Sequence, residues 1–194
     1  ASVDTTVGNA GANKFTATFT PNTENYNTAE IEITVNVSKK QITPPTVADA
    51  MREQEYTGSK LYSGIAAGEG YTVTDNGGIN VGTYNVTLAL VSDNYVWIDG
   101  TSADKTVTFK IVSTANSWTT APTIKSEWVY GEIDGIDKTS EAYKAYTGYA
   151  VAKYGTVTVL YAEAGSDEFT STLPTNAGAY VARFTATYAN ATTI

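Results

Sequence analysis

Apolar and polar residues alternate strictly along several stretches of this chain. Phe15, Ala17 and Phe19 are separated by Thr16 and Thr18, and Ile31, Ile33, Val35 and Val37 by Glu32, Thr34 and Asn36. The same period runs through Tyr84, Val86, Leu88 and Leu90, through Val107, Phe109 and Ile111, and through Tyr180, Ala182, Phe184 and Ala186. Successive strand side chains point to opposite faces, so the pattern predicts half-buried antiparallel strands. Shorter strands are expected at 55–57, 60–63 and 71–74, at Tyr95 and Trp97, at 127–131 around Trp128, and at Val157 and Val159. Pro21-Asn22-Thr23-Glu24-Asn25, Asp75-Asn76-Gly77-Gly78 and Asp99-Gly100 are turn clusters. Pro44-Pro45 excludes a helix at that point, and residues 47–52 have room for a single helical turn. Short strands with regularly spaced turns predict an all-β fold of sandwich type.

The pattern is written more than once. Asn80-Val81-Gly82-Thr83-Tyr84 recurs as Asn176-Ala177-Gly178-Ala179-Tyr180, and more loosely as Asn9-Ala10-Gly11 ahead of Phe15. Asn25-Tyr26 and Asn94-Tyr95 stand at the same distance past Phe15 and Tyr84. Recurrence at this spacing predicts an array of similar domains. Three units are expected. Residues 1–38 read as the later part of one unit, 39–113 as a complete unit, and 114–194 as another that stops before its last strand. Residues 39–41 and 113–116 read as short polar joints. Because residue 1 falls inside a unit, the chain is expected to be a piece of a longer protein.

These blocks resemble the tandem bacterial immunoglobulin-like repeats of Gram-positive gut surface proteins. The marks are Tyr56-Thr57-Gly58 and Tyr130-Gly131, the segments 80–84 and 176–180, Asn94-Tyr95, and the run 107–111. Two places depart from the pattern: Asn190-Ala191 stands where Asn-Tyr is expected, and residues 137–149 look inserted. The resemblance implies tandem immunoglobulin-like β-sandwich domains in a secreted, wall-associated protein that acts as stalk, spacer or adhesin. It implies no catalytic residues.

Composition narrows the chemistry. Roughly a sixth of the residues are Thr, with 14 Tyr and a single Met, which favours strand. Cys is absent, so neither disulfides nor thiol chemistry is available. His is absent too, which removes the usual general base and the commonest transition-metal ligand. A net charge of -8 disfavours a nucleic-acid partner and an anionic membrane surface. No apolar run is long enough for a membrane helix, and the opening Ala1-Ser2-Val3-Asp4 has neither the basic start nor the apolar stretch of a secretory signal. Export and anchoring signals are expected outside this segment.

Tyr143, Tyr146 and Tyr149 in the insertion are the first candidate binding residues. A helix capped by Thr139 or Ser140 would put Tyr143 and Tyr146 on one face. Exposed rings there would stack on sugar or anchor a protein partner, whereas rings folded back would be core. Trp97, Trp118 and Trp128 pose the same choice, with core packing expected for Trp97 and Trp128 and inter-unit packing for Trp118. Asp93, Asn94, Asp99 and Asp104 crowd one turn but match no Ca²⁺ loop. Glu53 with Glu55, and Asp167 with Glu168, read as surface charge rather than an acid–base pair. The glycosylation-type triplets at Asn36, Asn85 and Asn190 are expected to be chance, as is the sortase-like run Leu173-Pro174-Thr175. A Lys–Asn crosslink is not expected, because no Lys lies on a core face.

The expected function is that of a non-enzymatic, extracellular structural module, without cofactor or metal. It spaces or displays a distal binding region. The alternative is an adhesin-type module that recognises host glycans or glycoproteins through the insertion 137–149. Incomplete units with open strand edges also predict strand exchange between molecules or between one molecule's two ends.

Overall fold

The structure, a computed structural model, describes residues 8–22 and 24–194. Thr23 of the first turn cluster and the opening residues 1–7 lie outside the described residues. Among the described residues the chain is mostly β-strand, arranged in small sheets, with two short helices. It forms two compact units that interleave in sequence. The first runs to Glu53 and adds Leu61–Gly78 and Thr83–Phe109; the second comprises Gln54–Lys60, Ile79–Gly82 and Lys110–Ile194.

In the first unit, β1 (Gly11–Phe19) and β2 (Ala29–Val37) pair antiparallel, Phe15 opposite Ile33 and Ala17 opposite Ile31. The alternation is as expected, and Phe15 and Ala17 on β1 are half-buried, but the β2 side of the face is not: Ile31 is 63% exposed, and Ile33, Val35 and Phe19 are exposed with it. A two-stranded sheet has no second layer with which to cover itself. β3 (Lys40–Ile42) pairs parallel with β7 (Tyr95–Trp97), which corrects the reading of 39–41 as a joint. The Lys40 and Gln41 side chains stay in water while their backbone is held, the Lys40 N–H donating to the Asn94 carbonyl at 2.8 Å, and Ile42 is buried. Polarity of side chains says little about an edge strand's backbone.

A single-turn helix α1 (Asp49–Arg52) precedes β4 (Glu53–Glu55). Residues 60–63 form no strand beyond a bridge from Leu61 to Gly78. The Asn76 side chain takes over there, accepting from the Ser63 N–H at 3.0 Å and donating to the Ile65 carbonyl at 2.6 Å. β5 (Tyr71–Thr74) pairs antiparallel with β6 (Gly82–Leu90), and with β8 (Lys105–Val112) these make a sheet in the order β4-β8-β6-β5. Val86, Leu88 and Trp97 are fully buried and Phe109 nearly so. The Tyr84 ring stacks on Phe109 at 5.4 Å, and the Trp97 indole N–H donates to the Ala103 carbonyl at 2.8 Å, which removes the cost of burying it.

In the second unit, β9 (Trp118–Thr123) pairs antiparallel, with irregular register, to β10 (Tyr149–Ala152). A seven-residue helix α2 (Glu141–Thr147) leads into β10. β11 (Thr156–Glu163) pairs with β12 (Tyr180–Thr187), Val157 opposite Ala186 and Val159 opposite Phe184. Beside β12, Ala186 and Ile194 exchange backbone hydrogen bonds at 2.8 and 3.2 Å. Residues 113–116, read as a second joint, are also built in. Thr114 bridges Ala191 in parallel, and the buried Asn116 side chain accepts from the Tyr154 N–H and donates to its carbonyl. Tyr56, Tyr154 and Tyr188 cluster with centroids 5.7–6.0 Å apart, and the Tyr56 and Tyr188 hydroxyls meet at 3.0 Å. That shared hydroxyl contact, followed by burial, raises the Tyr56 pKa.

Candidate functional site

The insertion folds as a capped helix. Ser140 Oγ accepts from the Tyr143 N–H at 3.1 Å, and Asp137 accepts from the Thr139 N–H and hydroxyl at 2.8 Å each, which lowers the Asp137 pKa. Gly148 ends α2 at φ 86, where a Cβ would stand 2.7 Å from the Phe184 ring, so the position favours glycine twice over.

The three candidate tyrosines part company here. Tyr146 turns inward and is only 9% exposed. Trp128 packs on its ring at 5.4 Å, and the Lys125 ammonium lies 4.4 Å from the ring centre. Its hydroxyl donates to Glu132 Oε1 at 2.8 Å and accepts from Lys125 at 2.8 Å. Tyr143 is half-buried, and Tyr161, whose pKa burial and then Tyr143 raise, donates its hydroxyl to the Thr147 carbonyl. Tyr149 lies on β10, the most exposed of the three, with Lys144 at 5.4 Å from its ring. Tyr146 therefore belongs to the packing, and the three rings do not form one exposed platform.

Glu132 organises the loop before the helix. Its carboxylate takes Lys125 at 2.5 Å, the Val129 N–H at 2.8 Å and the Tyr146 hydroxyl, and these three partners hold its pKa at about 2. The Lys125 pKa rises in return. Residues 127–131, expected as a strand, form turns instead, with Glu132 N–H bonded to the Val129 carbonyl and Asp134 N–H to that of Gly131. Trp128 is drawn onto Tyr146, and Val129 and Tyr130 are pushed into water, Tyr130 to 78% exposure. Pinned in this way, the loop forms one rim of an open groove of about 620 Å³. Residues 173–182 form the other rim, with Asn176-Ala177-Gly178 among them.

Sequence reasoning treated the corner asparagines as repeat marks and missed their role. Asn94 Oδ1 accepts from the Ala10 N–H at 2.7 Å, and Asn94 Nδ2 donates to Asn9 Oδ1 at 2.9 Å. In the second unit Asn190 Oδ1 accepts from the Val81 N–H at 2.8 Å, and Asn190 Nδ2 donates to Asn80 Oδ1 at 2.9 Å. The same two bonds are made twice, each time between a corner asparagine and an Asn-x-Gly segment. Each clasp lies inside one compact unit. The signal was present in the common spacing of Phe15 to Asn25, Tyr84 to Asn94 and Tyr180 to Asn190.

The remaining candidates resolve into structure. Trp97 is core, as expected, and Trp118 is half-buried on β9. Asp99 is bonded to Lys105 and Thr101, which depress its pKa, and among the described residues no group of acidic side chains is arranged to hold a metal. Glu55 accepts from the Thr114 hydroxyl at 3.3 Å. Asn190 is buried in its clasp, which leaves its triplet inaccessible. Among the described residues no helix is long and apolar enough to cross a membrane. No family model, curated protein or solved structure matches the chain.

Proposed function

We propose that this chain is a non-catalytic structural module of an extracellular, surface-associated protein, built of tandem immunoglobulin-like β-sandwich repeats that space or display a distal binding region. The observation that carries the reading is the duplicated asparagine clasp. A corner asparagine that follows the long strand of one repeat holds the Asn-x-Gly opening of the long strand in the repeat before it, at Asn94 with Asn9 and again at Asn190 with Asn80. Supporting it, Lys40 pairs parallel with Tyr95 and Thr114 with Ala191, so each supposed joint enters its repeat beside the same corner. Joints tied into the backbone network transmit load, where free linkers would bend.

The alternative, an adhesin-type glycan site in 137–149, keeps Tyr143 and Tyr149 as exposed or half-exposed rings but has lost Tyr146 to the packing. Force spectroscopy of the chain between two handles separates the readings. A spacer resists extension and unfolds in discrete events, and Asn190→Leu lowers the force of one of them. A chain that extends without discrete events, or one that binds mucin-type glycans through Tyr149 while Asn190→Leu leaves its unfolding unchanged, would displace the structural reading.

A further inference from the structure

Asn76-Gly77, the chain's single Asn-Gly pair, follows β5 and leads into the bridge between Gly78 and Leu61. Such a pair is chemically self-reactive. The backbone nitrogen after an asparagine can reach that residue's side-chain Cγ, and glycine carries no side chain to hinder the approach. The pair lies wholly inside the first unit, together with the loop 61–66 that it holds. We propose that Asn76 is a spontaneous deamidation site that the native fold holds in check, and that its reaction irreversibly unlatches the loop 61–66.

Two features of the fold oppose the reaction. The first is the side chain's commitment elsewhere. Asn76 Oδ1 accepts from the Ser63 N–H at 3.0 Å and from the Ser63 hydroxyl at 2.5 Å, while Nδ2 donates to the Ile65 carbonyl at 2.6 Å. Both substituents of Cγ are thus tied to residues 63–65. Ser63 and Ile65 are buried, at 1% and 8% exposure, so water offers these groups no ready substitute. The second feature is the state of the nucleophile. The Gly77 N–H donates to the Asp75 carbonyl at 2.9 Å and closes a three-residue turn around Asn76. Asp75 at φ 57 and Gly77 at φ 153 flank that turn, in backbone that glycine accepts freely and aspartate better than most residues. Attack requires these bonds to open together, so only the opened fraction of molecules reacts.

In the opened turn the Gly77 nitrogen gives its proton to hydroxide and bonds to Asn76 Cγ, and Nδ2 leaves as ammonia. Water then opens the five-membered imide. Cleavage of the new N–Cγ bond leaves aspartate, whereas cleavage of the original peptide bond leaves isoaspartate, with the main chain running through Cβ and Cγ. At neutral pH either product is a carboxylate with no hydrogen to donate, so the carbonyl of buried Ile65 loses its partner. The isoaspartyl main chain is also one carbon longer. Gly78 then no longer stands in register with Leu61, with which it exchanges backbone hydrogen bonds at 2.7 and 2.9 Å. Neither product returns to asparagine, so the latch opens one way.

The test ages the full chain in mildly alkaline buffer, folded and in guanidinium, and follows Asn76 by peptide mapping and an isoaspartyl methyltransferase assay. The unfolded chain is expected to react at Asn76 ahead of its other asparagines. The folded chain should react there at least about tenfold more slowly, and Ser63→Ala, which removes the hydroxyl donor, should recover part of the difference. The isoaspartyl form purified from the aged sample should exchange its Leu61 and Gly78 amides faster than the unmodified chain. The amide of the fully buried Val86 should be unchanged, which shows that the fold persists. No reaction at Asn76 in the unfolded chain overturns the site itself. Equal rates in the folded and unfolded chain overturn the restraint by the fold, and that comparison needs no variant. Leu61 and Gly78 amides that keep their native protection in the isoaspartyl form overturn the unlatching.

Discussion

The β1–β2 pair and the β6–β8 pair are built from one recipe and are buried to different depths. Phe15-x-Ala17-x-Phe19 and Tyr84-x-Val86-x-Leu88 alternate alike, and so do Ile31-x-Ile33-x-Val35 and Val107-x-Phe109-x-Ile111. Val86 and Leu88 have no exposed surface, whereas Ile31 has most of its own. The difference lies in what surrounds each pair. β6 has β5 and β8 at its two edges, with Trp97 among the buried side chains of its unit, while β1 and β2, among the described residues, pair in a sheet of two strands. The same contrast runs through the asparagines, with Asn80 clasped and Asn176 bare. Identical local chemistry becomes core or surface according to its neighbours.

The comparison is broken most forcefully at the apolar faces. Leu88→Ala should cost about 2–5 kcal/mol in urea unfolding, because a fully enclosed side chain leaves a cavity. Ile31→Ala, on the bare pair, should stay within about 0.5 kcal/mol. Equal losses at the two positions would mean that the β1–β2 face is covered in solution. Next in size comes the clasp. Asn190→Leu removes the partner of the Val81 N–H and of Asn80 together, and about 1–3 kcal/mol of stability should go with it, read as a lower melting temperature and faster Val81 amide exchange. In dilute solution Asn176→Leu should leave both measurements unchanged.

A pH titration sharpens the picture of the pinned loop. Glu132 titrates near 4.5 when unfolded and near 2 when folded, so its contribution is complete above 4.5 and disappears as pH falls toward 2. The stability advantage of the wild type over Glu132→Gln at neutral pH should shrink across that window and vanish below it. An advantage that persists unchanged at low pH would show that the carboxylate's charge is not what holds Lys125, Val129 and Tyr146 together. The smallest effect is expected at Tyr149→Ala, whose ring is part-exposed, with a melting temperature within a degree or two of wild type, as for most surface substitutions.

Much of the strand inventory was legible in the chain. β5 and the long strands β1, β2, β6, β8 and β12 follow from period-two alternation, and a short helix capped at Thr139 or Ser140 was expected, with Ser140 taking the cap. The failures share a cause. Residues 40–42 were hidden because a parallel edge strand needs backbone partners and only one inward side chain, Ile42. Residues 127–131 resembled a strand because Trp128, Val129 and Tyr130 are good strand formers, but the flanking Glu132 and Lys125, joined by Tyr146 from α2, hold them in turns. Within the candidate site, the spacing of three tyrosines was visible, yet which ring would be enclosed was not.

The sequence by itself determined where the chain extends, where it turns, and which chemistries are closed to it for want of Cys and His. It also wrote the asparagine marks at constant spacing. Only the tertiary structure decided which apolar faces are covered, which tyrosine is packed, and that the corner asparagines clasp segments 85 and 110 residues away. Alternation and spacing are properties of neighbours along the chain. Burial and hydrogen-bond partnership depend on what long-range packing brings alongside.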